Sequence, residues 1–411
     1  RRRRSPPMRG GEYLLGKIVG NIVFLTTFVA GFMVTSMAML IVRGEAHLEP
    51  IVFAAQYLLL IPPVIVFVSV VAIVFESIPF LSGKFGDVVY FFLWIASLGI
   101  VASNVTVSDP GIYGYFDVSG FGFLKAGLGT DSVAIGATNF DAAKGLFHFE
   151  GLALPAVWVA PRIVSTLFPL ALVPVALLFF HRFDPSRLRK RMQRGSRHWL
   201  TRIALLAKPF SRALYAVAAR GRSTSLFSAS RYDALLAMTS FPAVVLIAAG
   251  FLIAPREAIP IAFAAAAVLI ADMAAREKRA GTLPLVYSTP RLRNSFVWWK
   301  FSAAVLLTLV VLAGPALRSL GSLPAFLTGV VFIAATSTAL GIFSSNGKTF
   351  IVAFLTFWYV VVNDAGKSAA FDFAGFYGKA TPAVTLTYAS IAIAALVAAQ
   401  LFHAARLRRA W

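Results

Sequence analysis

REKRAGTLPLVYSTPRLRNSFVWWK, residues 276–300, is a charged, proline-bearing stretch set between two apolar runs that can each enter a membrane. It has a twin at the start of the chain. Ser5-Pro6-Pro7 leads to Lys17 through RGGEYLLG, as Ser288-Thr289-Pro290 leads to Lys300, with Ser, Pro and Lys at one constant offset. A long apolar run follows each copy. A polar element that recurs once per half, always beside a membrane segment, describes a two-fold machine that something outside the membrane pushes on twice.

Composition sets the class. The chain has 411 residues, 59% hydrophobic and 13% charged, whereas soluble domains carry about 25% charged residues. The sequence therefore describes an all-α polytopic membrane protein. Its net charge of +21 would suggest nucleic acid in a soluble protein. Here the cations lie between apolar runs, where the positive-inside rule accounts for them and no nucleic-acid partner is needed. The absence of cysteine excludes a disulfide framework, a thiol nucleophile and a Cys-type zinc site.

Spans long enough for ~30 Å of hydrocarbon are read at 18–42, 51–75, 87–104 and 156–180. In the second half they fall at 234–253, 258–271, 301–317, 323–343, 350–362 and 383–402. Pro62-Pro63 should kink the second span. Residues 105–155 are rich in glycine and aromatics and carry five acids against Lys125 and Lys144, the composition of a folded outside cap. Helices there are expected at the outer surface, with Phe121, Phe123 and Phe147 against span ends.

Residues 181–231 hold thirteen Lys and Arg against Asp184 alone. Leu188, Met192, Trp199, Ile203, Leu206 and Phe210 recur at helical spacing. Both a basic amphipathic helix on an anionic lipid surface and a solvated linker fit that pattern. The domain reading is a first half at 1–180, this linker, and a second half at 232–411. With the twins inside, four spans return the chain to the basic block and six more place the C-terminal arginines inside, so every strongly basic segment shares one side. About ten spans are expected in two pseudo-repeated halves. Two spans precede the central element and none its twin, which leads us to expect twelve in the intact protein.

Three segments carry a family resemblance: EYLLGK at 12–17, FESIPFLSGKFGDVVYFFLW at 75–94, and E-x-x-x-G-T-L at 277–283 followed by Ser-Thr-Pro. In that order among the spans, the chain resembles the membrane subunit of an ABC transporter of the type-two exporter class. The resemblance implies six spans per half and a cytoplasmic coupling helix between the second and third spans. It also implies a partner ABC ATPase in two copies that holds ATP and Mg, no cofactor in this chain, and a bacterial inner membrane with the C-terminus cytoplasmic. The coupling residues it implies are Arg9, Glu12, Tyr13 and Lys17 in one copy, and Glu277, Arg279, Gly281, Thr282, Leu283, Pro290 and Arg293 in the other.

Local chemistry is compatible with that expectation. Gly281 can end the helix that carries Asp272 and Glu277. Thr282 can cap a short helix begun by Leu283-Pro284, and Ser288-Thr289 can cap a third with Pro290 in its first turn. From Pro290 to Lys300 a continuous helix would run ~15 Å, with Arg291, Arg293 and Lys300 facing cytoplasm or headgroups. Lys17 and Lys300 would serve equally as positive-inside anchors. Glu12 and Glu277 have no place in that simpler account.

Other motifs are weaker. Gly347-Lys348-Thr349 resembles the end of a phosphate-binding loop, but the upstream glycine is misspaced and the stretch lies between spans. His148 and Glu150 make a lone pair of metal-capable side chains, and no metal site is read from them. Deep polar residues are few, Asn21 and Gln56; Asp87, Asp272, Arg162, Asn363 and Gln400 fall near span ends. Ion-coupled carriers hold ionisable groups deep in their spans. Three readings follow: a permease driven by a separate ATPase, an ion-coupled carrier, and a membrane-embedded enzyme or assembly factor. The transported substrate is not legible.

Overall fold

The computed structural model describes residues 10–43, 48–78, 81, 83–106, 109–129, 156–180, 216, 225–238, 240–252, 258–319 and 321–409. The described residues are helices and connecting turns, with no strand. The chain divides into two compact units, 1–194 and 195–411. Most of the basic block, residues 130–155 with Phe147, and Arg9 with Ser5-Pro6-Pro7 lie outside the described residues.

Among the described residues six helical segments are long and apolar enough to cross a membrane, or seven if one bent pair makes a single span. Large apolar side chains such as Phe24, Phe28 and Phe32 point outward at 64–71% exposure. That is the surface a lipid-solvated helix presents. The chain is thus a multi-pass α-helical membrane protein.

In the first unit, α1 (Gly10–Arg43) packs on α2 (Pro50–Ser77). Leu14 and Ile18 close against Val70, Ile73 and Val74. Next come α3 (Lys84–Asn104), the short α4 (Gly111–Gly114) and α5 (Phe121–Leu128). The fourth span is not one helix. It runs as α6 (Ala156–Leu167), a 3-10 turn at Phe168–Leu172 and α7 (Val173–Phe179). Pro169 and Pro174 remove backbone donors there, which favours the tighter turn.

Arg162 explains how the Pro62-Pro63 kink is held. Pro63 has no N–H for the carbonyl of Leu59 one turn back. Arg162 is buried at 6% exposure and donates Nε and Nη2 to Leu59 O at 3.1 and 2.7 Å. Nη2 also reaches Leu60 O at 3.2 Å, and Nη1 donates to Asp117 O at 2.7 Å. Arg162 lies near the start of its span, as the sequence reading placed it, but is buried rather than facing solvent. It supplies the donor the helix lost and ties α6 to α2 and to the 105–129 segment.

Asp117 is fully buried beside it and accepts from Phe123 N–H at 2.9 Å and from Ser119 Oγ–H at 3.2 Å. Phe123 is fully buried edge-on to Trp158, so the described part of the cap packs on a span as expected. Burial pushes the Asp117 carboxyl above its ordinary range, while the Phe123 N–H, the Arg162 charge and Ser119 hold it back. The native state then keeps a proton that the unfolded chain has already lost, so stability falls as pH rises from the ordinary carboxylate value through the raised one. Proteolysis of the 105–129 segment in membranes should be slower at mildly acidic than at neutral pH. Asp117→Asn should flatten that dependence; a dependence unchanged in the variant would assign it elsewhere.

The second unit begins with α8 (Leu226–Met238) and α9 (Phe241–Leu252), bent by 83°. The span expected at 234–253 is thus bent within its length. Asp233 and Ser230 keep α8 polar on one face, while α9 is wholly apolar. The chain continues through α10 (Ile259–Ile270), the short α11 (Arg276–Arg279), α12 (Leu283–Tyr287) and α13 (Pro290–Asn294). Then come α14 (Phe296–Ser319), α15 (Leu323–Ser344), α16 (Gly347–Asp364) and α17 (Pro382–Arg409). At twelve residues each, α9 and α10 rise only ~18 Å.

Small residues let these helices approach. Ala335 and Ala339 of α15 meet Ala392 and Ala399 of α17, all at 0–3% exposure, as membrane helices require when no aqueous hydrophobic effect drives them together. A Cβ on Gly314 of α14 would lie 2.4 Å from the Gly250 backbone of α9. The connection at 365–381 is built rather than loose. Buried Asp372 accepts backbone N–H groups from Tyr377, Lys379 and Ala380 at 3.2, 2.7 and 3.1 Å. Phe373 inserts among Phe263, Phe332, Phe354, Phe357 and Tyr388.

Candidate functional site

The central polar stretch folds as a compact platform. Ala271 to Ala275 are turns, so Asp272 and Glu277 do not share a helix. Gly281 has φ +70. Its N–H reaches Lys278 O at 3.2 Å, and Thr282 N–H reaches Glu277 O at 2.9 Å. Those two bonds make a Schellman ending, for which glycine is the least strained residue. The expected side-chain caps are absent: Thr282 and Thr289 make no cap hydrogen bond, and Thr282 Oγ1–H turns back to Glu277 O. The helix from Pro290 is not continuous to Lys300, since Ser295 breaks it before α14.

Lys300 overturns the simplest reading of the stretch. Instead of facing cytoplasm it is fully buried. Its Nζ donates to Asp233 Oδ2 at 2.6 Å and to Glu277 Oε1, and it lies 4.2 Å from the centre of the Trp299 ring. Asp233 also takes Arg276 Nη1 at 2.9 Å. Glu277, an implied coupling residue, is likewise mostly enclosed, its side chain 12% exposed. Three elements thus share one ammonium: α8 through Asp233, α11 through Glu277, and the span α14 through Lys300 itself. Burying charge is tolerated only when every charge is paired and hydrogen-bonded.

Further contacts seat the platform. Lys278 Nζ donates to Ser345 Oγ at 2.6 Å, and Arg279 Nη1 to Asp272 Oδ1 at 3.1 Å. Tyr287 packs edge-on to Phe296 and His403. A carbonyl only accepts, so His403 donates Nε2–H to Arg293 O at 2.9 Å and offers Nδ1 to the Tyr287 hydroxyl at 3.4 Å. Leu283 packs on the α14–α15–α17 core, whereas Leu285 in the middle of α12 stands 74% exposed. Gly281, Thr282, Pro290 and Arg291 are exposed around it.

The first copy is placed differently. Glu12 is exposed, and Tyr13 stacks on Phe180 at 5.6 Å. Lys17 pairs with Glu76 at 2.7 Å, the two side chains 38% and 65% exposed. Such an exposed pair is worth about 0–1 kcal/mol. Lys17 and Lys300 match in sequence but not in environment. Asp233 had no sequence signal, because its partners are distant in the chain.

Gly347-Lys348-Thr349 opens α16, where the Asn346 side chain accepts Lys348 N–H at 3.1 Å; the motif starts a helix after a helix. Among the described residues no group of His, Asp and Glu could hold a metal ion. His148 and Glu150 lie outside them. No protein-family model, curated protein or solved structure matches this chain. The fold alone defines the class, a multi-pass α-helical membrane protein whose second unit carries a braced polar platform.

Proposed function

We propose that the chain is the permease of an ATP-driven exporter, and that a separate ATPase pushes on the 276–300 platform. The observation that carries the reading is the contrast between its exposed apolar side chain and its seating. Leu285 is 74% exposed on α12, while Lys300 roots the same element in the span α14 through Glu277. A partner docked on α12 would meet this apolar side chain. A rigid root lets a push there move a membrane helix. In this reading ATP and Mg belong to the partner, about ten spans lie in this chain with α9 and α10 among them, and the C-terminus is cytoplasmic. The first copy, from Arg9 to Lys17, is the second contact.

Reconstitution tests the proposal. Vesicles holding this protein without an ATPase should move no substrate on an ion gradient alone; movement there would support the ion-coupled reading and remove this one. With the ATPase present, Gly281→Val forces a β-branched residue into positive φ, at a cost of at least 1 kcal/mol. Transport and stimulated ATP hydrolysis should fall together while membrane insertion stays normal. A normal coupling ratio in Gly281→Val would remove the platform from the mechanism.

A further inference from the structure

A cavity of about 610 Å³ lies between α8 and the platform, lined among others by Tyr232, Leu236, Arg276, Glu277, Arg291 and Trp299. We propose that it holds the headgroup of a phospholipid bearing a primary ammonium, of the phosphatidylethanolamine class. The inference needs the membrane fold and not the ATPase reading.

The charges around the cavity are unevenly satisfied. Both oxygens of Asp233 are engaged, one by Arg276 and one by Lys300. Glu277 Oε1 accepts from Lys300, but Glu277 Oε2 is buried with no hydrogen-bond partner. A buried carboxylate oxygen without a donor is costly, and an ammonium is the donor that also answers its charge. The cationic side is equally unfinished. Arg276 uses one nitrogen on Asp233, and Arg291 is exposed and makes no ion pair among the described residues. Two guanidinium groups suit a phosphate.

A phosphate and an ammonium joined in one molecule fit both ends. Apart from these charges and the hydroxyls of Ser225, Thr282 and Thr289, the wall is apolar, so the occupant is a lipid. Leu236 and Tyr232 are 46% and 37% exposed on α8, which turns by 83° from the apolar helix α9. A soluble phosphoamine would leave that wall uncovered. A choline headgroup has no N–H for Glu277, and a glycerol headgroup has no cation.

The test uses the full chain in nanodiscs of equimolar phosphatidylethanolamine, phosphatidylcholine and phosphatidylglycerol, with retained lipids counted by native mass spectrometry. Phosphatidylethanolamine should be retained about tenfold over phosphatidylcholine, the worth of one charge-assisted hydrogen bond. Glu277→Gln should erase that preference. Arg291→Glu, at an exposed side chain where folding is not at stake, should weaken retention of all three lipids. Equal retention by the parent, a preference that survives Glu277→Gln, or no loss in Arg291→Glu would each overturn the proposal. Displacement by soluble glycerophosphoethanolamine would overturn the lipid assignment.

Discussion

Lys300→Met is expected to destabilise the second unit by about 3–5 kcal/mol, because removing one member of a buried ion cluster strands the others. Asp233 would keep Arg276, and Glu277 Oε1 would lose the ammonium it accepts from. Methionine nearly matches the lysine stem in length, so the loss reads charge rather than volume. Lys17→Met, at the matching position of the first copy, should cost about 0–1 kcal/mol, since its pair with Glu76 is exposed. Thermal unfolding of the detergent-solubilised protein compares the two directly. Equal losses would mean that the buried cluster contributes no more than a surface pair. Lys300→Arg is also informative: a planar guanidinium fork does not place one nitrogen between Asp233 and Glu277 as the ammonium does, so arginine should not fully restore stability.

Arg162→Met should cost on the order of 3 kcal/mol, because hydrogen bonds from a charged donor are worth ~1.5–3 kcal/mol each and their loss leaves buried carbonyls bare. The carbonyl most affected is that of Leu59, which Pro63 cannot serve. That makes a specific rescue possible. Pro63→Ala returns a backbone N–H to the helix and should recover part of the loss in the Arg162→Met background. On the native background the same change should stabilise far less, since the arginine already fills the role. Additive effects of the two substitutions, read in a double-mutant cycle, would rule out the shared carbonyl as the point of contact.

The platform shows where sequence reading succeeds and where it stops. Gly281 was legible because a glycine between a charged helical run and Thr-Leu-Pro is a local signal, and φ +70 is a local consequence. Thr282 and Thr289 carry the right residue type for caps, yet neither side chain caps. Thr282 instead sits in the Schellman turn that Gly281 imposes, with its hydroxyl on Glu277 O. The bend inside the stretch expected at 234–253 was not legible, because apolar composition does not report direction; Met238 ends α8 and the chain turns by 83° before α9.

The sequence by itself determined the class of this protein. Long apolar runs and few charges leave a multi-pass helical membrane protein as the consistent solution, because a bilayer accepts only segments that satisfy their own backbone. It also located the platform and its glycine, since both are matters of neighbouring residues. Only the tertiary structure decided which charges are buried. Lys17 and Lys300 occupy the same place in a repeated motif, yet one faces solvent beside Glu76 and the other is enclosed by Asp233 and Glu277. Arg162 likewise finds its role in a carbonyl orphaned a hundred residues earlier in the chain. Burial and pairing depend on which distant segments meet, and a one-dimensional pattern carries the helices but not their meetings.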